Sequence, residues 1–377
     1  MEQQQIDKDL DLPLMSNVDD FRARHYMMKL EFDFGKSEVN GESVIFLQEK
    51  HSSEFEDIIF DQRHLDFKAV GALDSQNLSS KVINDFDSRK DFELMSRCFK
   101  SDFKPLDFTV EEWCLRIKKP KQYFPKILKI TWQTMKGANS LMWRNNQDGH
   151  KCAFTAAAAV NNRSLFPCQE PPIAMASWQC LIKASLPNAT ILCTGDDNGK
   201  ICDEDGYHYF FTQMILPMST FAVAISVWKS TILVDSDLSS MTKKNDSICQ
   251  KLHEDYPCHI DRGDIGPLIP CRLFGPVHLV DQASKTWSIY LEACLKSAHE
   301  LLGSHPFKKL DIVIVPRCYS GLGLASPNLM FVSQSLVKDD GGMIIRLSHE
   351  IAHNWFGLLI GAKDWTEEWL TEVIPFN

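Results

Sequence analysis

Three side chains near the end of the 377-residue chain have types and spacing that suit metal chemistry. His349 and His353 are four positions apart, and Glu350 directly follows the first histidine. Residues four apart lie on one face of an α-helix, so both imidazoles can reach the same ion. Glu350 is rotated by about 100° from His349, so its carboxylate can reach a water molecule at the ion without being a ligand. The pattern predicts hydrolysis by zinc-activated water, with Glu350 as general base.

A catalytic zinc site needs a third protein ligand and one open position. Glu372 lies nineteen residues after His353, and residues 361–364 are predicted to form a turn that returns the chain beside the first helix. Glu368 lies one helical turn earlier and stays open as an alternative ligand. We expect one zinc ion per chain, bound by His349, His353 and Glu372.

A second group of ligand-type side chains lies in a polar segment between residues 236 and 270. The spacing of its members is not that of a zinc finger, so a polar loop with incidental thiols is the better interpretation. These members are Cys249, His253, Cys258 and His259. The sequence contains no serine nucleophile elbow, P-loop or dinucleotide fingerprint, which leaves the H-E-x-x-H pattern as the dominant chemical signal.

Composition and charge exclude several classes of protein. Forty basic and fifty acidic residues give a net charge of −10, which argues against binding to a nucleic-acid backbone. No run of eighteen apolar residues is present, so no membrane-spanning helix is expected. The polar N-terminus lacks the features of a secretory signal, and the twelve scattered cysteines are predicted to be reduced thiols. We therefore expect a cytoplasmic or nuclear protein that is not secreted.

Hydrophobic patterning predicts two kinds of structure along the chain. Short alternating runs separated by turns predict an antiparallel β-rich domain over residues 1–280, with an insertion near 50–104. From about residue 285, apolar side chains recur at helical spacing up to Leu302, and Gly303 is a plausible helix end. A buried strand over 311–315 and a helix over about 343–359 follow. Residues 281–377 are therefore predicted to form a partial α/β domain that carries the metal site.

Several segments resemble the gluzincin aminopeptidases. The metal motif with Glu372 matches that family. Residues 162–170, which read NRSLFPCQE, resemble its N-terminal-domain signature. Residues 311–316 resemble the strand before the substrate-binding loop, and residues 326–332 resemble the segment after that loop in the leukotriene-A hydrolase branch. The resemblance implies an α+β multidomain protein, with a saddle-like antiparallel N-terminal domain before an incomplete thermolysin-like catalytic domain.

The resemblance also implies an activity and a substrate-binding segment. The reaction is the removal of N-terminal residues from peptides, so the expected partner is a peptide with a free N-terminus. The segment that corresponds to the substrate loop is Gly323, Leu324, Ala325 and Ser326. Ala325 stands where the family has a glutamate that binds the substrate amine, so another group is expected to select the N-terminus. Location in the nucleolus is a further implication of the resemblance.

The position of the motifs near the end of the chain leads to an alternative hypothesis. The family continues beyond the third ligand with a helical domain and a tyrosine that bonds to the reacting centre, and this chain ends five residues after Glu372. We therefore expect a C-terminally truncated form. Its alternative function is that of a weakly active or inactive zinc-binding or regulatory protein. An epoxide hydrolase is a third hypothesis, and the oligomeric state is not predicted.

Overall fold

The structure, a computed structural model, combines a sheet-rich N-terminal part with a smaller α/β part that carries the metal motif. The predicted α+β fold class is confirmed. The described residues are 13–50, 55–73, 92–156, 162–203, 206–235, 267–316, 322–338 and 342–372. The second group of ligand-type residues, Cys249 to His259, lies outside these ranges. Among the helices within them, none combines the length and apolar character needed to cross a bilayer.

Fifteen strands form the sheets of the N-terminal part. Their bounds are β1 (Phe21–Asp33), β2 (Glu38–Glu49), β3 (Asp57–Asp61), β4 (Leu65–Leu73), β5 (Phe103–Pro105), β6 (Phe108–Val110), β7 (Cys114–Lys118), β8 (Ile127–Thr134), β9 (Leu141–Asn145), β10 (Lys151–Thr155), β11 (Met175–Ala184), β12 (Thr190–Cys193), β13 (Asp196–Asp203), β14 (Gly206–Pro217) and β15 (Val223–Ser226). Eight of them form one sheet in the order β13-β14-β11-β1-β2-β8-β4-β5, in which only β1 and β11 are parallel. The remaining strands form a three-stranded sheet, β3-β7-β6, and a four-stranded sheet, β12-β15-β10-β9.

The large sheet is covered on both faces, which explains why β1 is apolar at consecutive positions rather than strictly alternating. Tyr26 and Met28 face the main core, which the smaller sheets complete. Met27 faces the opposite side and packs with Leu94 and Met95 of helix α1 (Phe92–Lys100). This helix belongs to the segment predicted as an insertion, and its apolar face buries the outer surface of the sheet.

The α/β part is built on a five-stranded sheet with three parallel strands at its centre. Its strands are β16 (Lys229–Val234), β17 (Cys271–Gly275), β18 (Leu310–Val315), β19 (Gly323–Ser326) and β20 (Leu329–Ser333), in the order β16-β17-β18-β20-β19. Strands β16 and β19 are antiparallel edges. The sequence pattern changes near residue 280, but two of the five strands, β16 and β17, precede that residue. They belong to this sheet because strand pairing joins residues that are far apart in the chain.

Helix α2 (Val277–Leu302) covers this sheet and supports the helix that follows. Its buried stripe includes Trp287, Leu291 and Leu295, whose three- and four-residue steps are those expected from the sequence. Gly303 ends the helix with φ of 85°, a conformation that glycine adopts without a steric penalty. The expected helix end is therefore present, and the start lies eight residues earlier than residue 285.

Helix α3 (Gly342–Ala352) is shorter than the helix predicted to extend to residue 359. The side-chain amide of Asn354 donates to the carbonyl oxygen of Ile351 at 2.8 Å, so it occupies an acceptor that a continuing helix would need. Gly357 then adopts φ of 107°, which turns the chain away from the helix direction. The last helix, α4 (Trp369–Glu372), follows a 3-10 turn at Trp365–Glu367.

Candidate metal centre

Helix α3 is fixed to the core by one face, and this orients the first two residues of the motif. Met343, Leu347 and Ile351 are spaced four apart and are each 1% exposed. They pack in one cluster with Trp287 and Leu291 of α2. The side chains of His349 and Glu350 are also buried, and both line a cleft beside the helix.

The two imidazoles of the motif meet at the end of α3. The Nε2 atoms of His349 and His353 are 2.9 Å apart, and the ring centroids are 4.3 Å apart. Nδ1 of His353 lies 3.2 Å from the carbonyl oxygen of Phe356. A proton on Nδ1 donates to this carbonyl and leaves the Nε2 lone pair directed towards His349, which is the tautomer that a metal ligand requires.

Glu372 supplies the third candidate ligand from α4. Its carboxylate oxygens lie 3.7 Å from Nε2 of His349 and 3.9 Å from Nε2 of His353. One ligand atom from each of the three residues lies within 4.8 Å of the others. Glu368, the alternative that the sequence left open, lines the same cleft one turn earlier. Two imidazole nitrogens and one carboxylate are a donor set that zinc prefers, so these residues fit the predicted ion.

Burial changes the pKa values of the groups at this centre. It lowers the pKa of His349 to about 4, with the neighbouring His353 and Arg346 acting in the same direction. It also lowers the pKa of His353, against the opposing effect of the Glu372 carboxylate. Both rings are therefore neutral near pH 7, as ligands must be. Burial raises the pKa of Glu350 to about 8, and the Arg346 guanidinium partly offsets this effect.

The Glu350 carboxylate lies close to a cation and to a strand. Nη1 of Arg346, one turn earlier on α3, lies 3.5 Å from Oε1 of Glu350. The backbone of Gly323 also comes so close that a Cβ atom there would overlap Oε1. Gly323 therefore has a steric reason to be glycine, because only a residue without a side chain lets β19 approach this carboxylate.

The cleft at this centre has a volume of about 200 Å³ and lies between several parts of the chain. Gly323, Leu324 and Ala325 line it, as the predicted substrate segment should. Ser326, the fourth residue of that segment, is instead buried, and its hydroxyl contacts the hydroxyl of Thr194 at 2.9 Å. The structure therefore brings seven of the eight predicted site residues to the cleft.

Other residues of the cleft were not predicted from the sequence. Arg346 is four positions before Glu350, and the i,i+4 rule for ion pairs on a helix would have identified it. Pro217, Ser219 and Thr220 line the cleft from the end of β14 and the turn after it. No local pattern marks these three residues, because their place at the site depends on how the two parts of the chain pack.

Comparisons with known proteins show which family the chain belongs to. A sequence profile of the peptidase M1 N-terminal domain matches residues 22–222. Aminopeptidase O of Homo sapiens is 36% identical over 306 residues, which are 75% of this chain and 37% of the human protein. Aminopeptidase O of Mus musculus is 38% identical over 286 residues, which are 70% of this chain and 34% of the mouse protein. The chain thus spans little more than a third of the length of these relatives.

Solved structures show the same fold at lower identity. Native leukotriene A4 hydrolase from Saccharomyces cerevisiae superposes with a TM-score of 0.71 at 19% identity, over 97% of this chain and 49% of that one. The M1 zinc metallopeptidase from Deinococcus radiodurans gives a TM-score of 0.63 at 13% identity, over 94% and 69% of the two chains. The resemblance recognised from motifs is confirmed. With its match to the profile over more than half of its residues, the chain belongs to the M1 peptidase family.

Proposed function

We propose that this chain carries the metal centre of a zinc aminopeptidase, which removes N-terminal residues from peptides. One observation carries the proposal: ligand atoms of His349, His353 and Glu372 lie within 4.8 Å of one another in the cleft that Glu350 also lines. Membership of the M1 family and similarity to proteins named aminopeptidase support it. One zinc ion per chain is part of the proposal.

Each residue of the centre has a role in the proposed reaction. His349, His353 and Glu372 would hold the ion, which would supply a Lewis acid that polarises the peptide carbonyl and acidifies water. Glu350 accepts a proton from the attacking water and passes it to the leaving amine. Burial raises the pKa of Glu350, and the positive charge of a bound zinc ion would oppose this effect and favour the ionised form. The Arg346 guanidinium also favours the ionised form, and its ion pair with Glu350 restrains the carboxylate.

The substrate is proposed to lie along β19. This strand is the edge of its sheet, and Gly323 to Ala325 line the cleft beside the base. Its position allows the backbone of an extended peptide to pass next to the metal centre. The proposed partner is accordingly a peptide with a free N-terminus, and neither a nucleic acid nor a membrane is expected.

Two further parts of the sequence interpretation remain proposals. The first is the division into an N-terminal domain and a catalytic domain; sheet membership favours a boundary between β15 and β16, before the predicted residue 280. The second is a location in the cytoplasm or nucleus. The cysteines in the described part of the chain form no disulfide bonds, which supports a reducing compartment.

The test of the proposed function combines zinc analysis with hydrolysis of arginyl and leucyl fluorogenic substrates. Glu350→Gln should lower turnover by at least about 100-fold and leave zinc content near one per chain, because the base is not a ligand. Glu367→Gln is the matched control, since this exposed carboxylate accepts from the backbone of Lys363. Turnover retained in Glu350→Gln would contradict the mechanism.

The same experiment separates the proposal from the alternative function. Zinc bound by the unaltered chain without any hydrolysis would support a zinc-binding or regulatory protein. Absence of bound zinc would contradict both functions. One observation favours the zinc-binding or regulatory function: Ala325 lines the cleft, and its neutral side chain offers no charge to a substrate amine.

A further inference from the structure

Two walls of the cleft come from distant parts of the chain. One wall contains Pro217, Ser219 and Thr220, which follow a strand of the large N-terminal sheet. The other contains Gly323, Leu324 and Ala325 of β19. Because these walls belong to different sheets, the distance between them depends on the contacts that join the sheets.

A chain of hydrogen bonds joins the two walls below the cleft. The backbone N–H of Ala222, two residues after Thr220, donates to Oγ1 of Thr194 at 2.7 Å. The Thr194 hydroxyl donates to Oγ of Ser326 at 2.9 Å, and the Ser326 hydroxyl donates to the carbonyl oxygen of Leu329 at 2.9 Å. The Thr194 hydroxyl also lies 3.2 Å from the carbonyl oxygens of Thr220 and Ala222, and its contact to Ser326 is the shortest of the three. With its proton directed to Ser326, the three bonds can exist together and polarise one another.

Burial strengthens the hydrogen bonds of the Thr194 and Ser326 hydroxyls. Thr194 is 0% exposed and Ser326 is 2% exposed, so water does not compete for either hydroxyl. Two contacts at the tip of the β19–β20 hairpin accompany them. The N–H of Gly195 donates to the carbonyl oxygen of Pro327 at 2.9 Å, and Nδ2 of Asn328 donates to Oδ1 of Asp196 at 3.1 Å.

We propose that Thr194 and Ser326 are positioning residues that hold β19 at its place beside Glu350 from the N-terminal part of the molecule. Ser326 follows Ala325 directly, and Gly323 has no space for a Cβ atom against the Glu350 carboxylate. A shift of the hairpin therefore changes the space at the base and the width of the cleft. The effect on substrate rests on the proposed function, whereas the position of β19 does not.

Hydrogen–deuterium exchange of the full chain measures the position of β19 without any need for activity. Ser326→Ala and Thr194→Val should each accelerate exchange in the peptide containing residues 323–326 by about three- to tenfold, the value expected for one hydrogen bond. Thr194→Ser, which keeps the hydroxyl, should restore slow exchange. The double variant should accelerate exchange by less than the product of the two single effects, since the bond between the two hydroxyls is lost only once.

Thr155→Val is the matched control. Thr155 is 1% exposed, and its Oγ1 accepts from the backbone N–H of Val223 at 3.1 Å, as Thr194 accepts from Ala222. Within the described residues, the Thr155 hydroxyl forms hydrogen bonds to Val223 and none to the hairpin, so its loss should leave exchange at 323–326 unchanged. Equal acceleration by Thr155→Val and Thr194→Val would overturn the proposal, because general loosening would then explain the result.

Kinetics extend the test to the cleft. For arginyl and leucyl substrates, Thr194→Val and Ser326→Ala should raise KM by about three- to tenfold, with a smaller change in kcat, because ligands and base remain in place. An unchanged KM alongside faster exchange would overturn the part of the proposal that concerns the cleft. If no form of the chain hydrolyses either substrate, the proposed function fails, and exchange still decides the role of the two hydroxyls.

Discussion

The two helices that supply the candidate metal ligands are held in different ways. Helix α3 has eleven residues and is anchored by three side chains that are each 1% exposed. Helix α4 has four residues, and its side chains are half-buried or exposed. The side chain of His349 is 2% exposed, and that of Glu372 is 53% exposed.

This difference indicates how the centre is assembled. The packing of α3 against α2 fixes the imidazole pair before any ion arrives, so the ion does not have to order these side chains. Glu372 depends on a short turn, with the backbone N–H of Glu372 donating to the carbonyl of Glu368 at 3.1 Å. Binding of an ion must therefore restrict the motion of α4. This loss of conformational entropy reduces the net free energy that Glu372 contributes to ion binding.

The largest effect should come from removing the anchor of α3. Leu347→Ala should lower the free energy of unfolding by about 2–5 kcal/mol, because it leaves a cavity in the core under the imidazoles. Trp369→Ala on α4 should change it by less than about 0.5 kcal/mol, since this side chain is 58% exposed. Chemical denaturation measures both values. Similar losses for the two variants would show that α4 is held as firmly as α3.

Zinc affinity should show the next largest difference. His353→Ala should weaken zinc binding by about 100-fold, and Glu372→Ala by about tenfold, because ordering α4 offsets part of the gain from the carboxylate. Competition with a chromophoric chelator at constant pH measures both dissociation constants. A greater loss for Glu372→Ala than for His353→Ala would reverse the comparison between the two helices.

The smallest effect concerns the turn that connects the two helices. Gly357 has φ of 107°, and a Cβ atom there would lie 3.4 Å from Nδ1 of His353. Gly357→Ala should lower the free energy of unfolding by about 1–2 kcal/mol through backbone strain. Gly361→Ala is the control, because its added Cβ would make only an ordinary contact at 3.7 Å. Thermal denaturation compares the two, and equal stabilities would rule out strain at the turn.

Local sequence signals predicted the parts of the fold in which one segment determines its own structure. The periodic apolar stripe of α2 and the stop at Gly303 are examples, because helix formation depends on nearby residues. The end of α3 was predicted too late, since the competing amide of Asn354 is a single side-chain contact. The order of strands and the sheet to which β16 and β17 belong were not predictable, because both depend on pairing between distant residues.

The sequence by itself determined the chemical groups at the centre and most of their relative placement. Four-residue spacing brings two imidazoles to one helical face, and the glutamate between them needs no long-range contact to be near. Tertiary structure decided the rest. Only packing could place Thr220 and Ala325 on facing walls and direct Ser326 away from the cleft towards Thr194. Spacing along a helix is a local property, whereas the width of a cleft between two sheets depends on contacts across the whole chain.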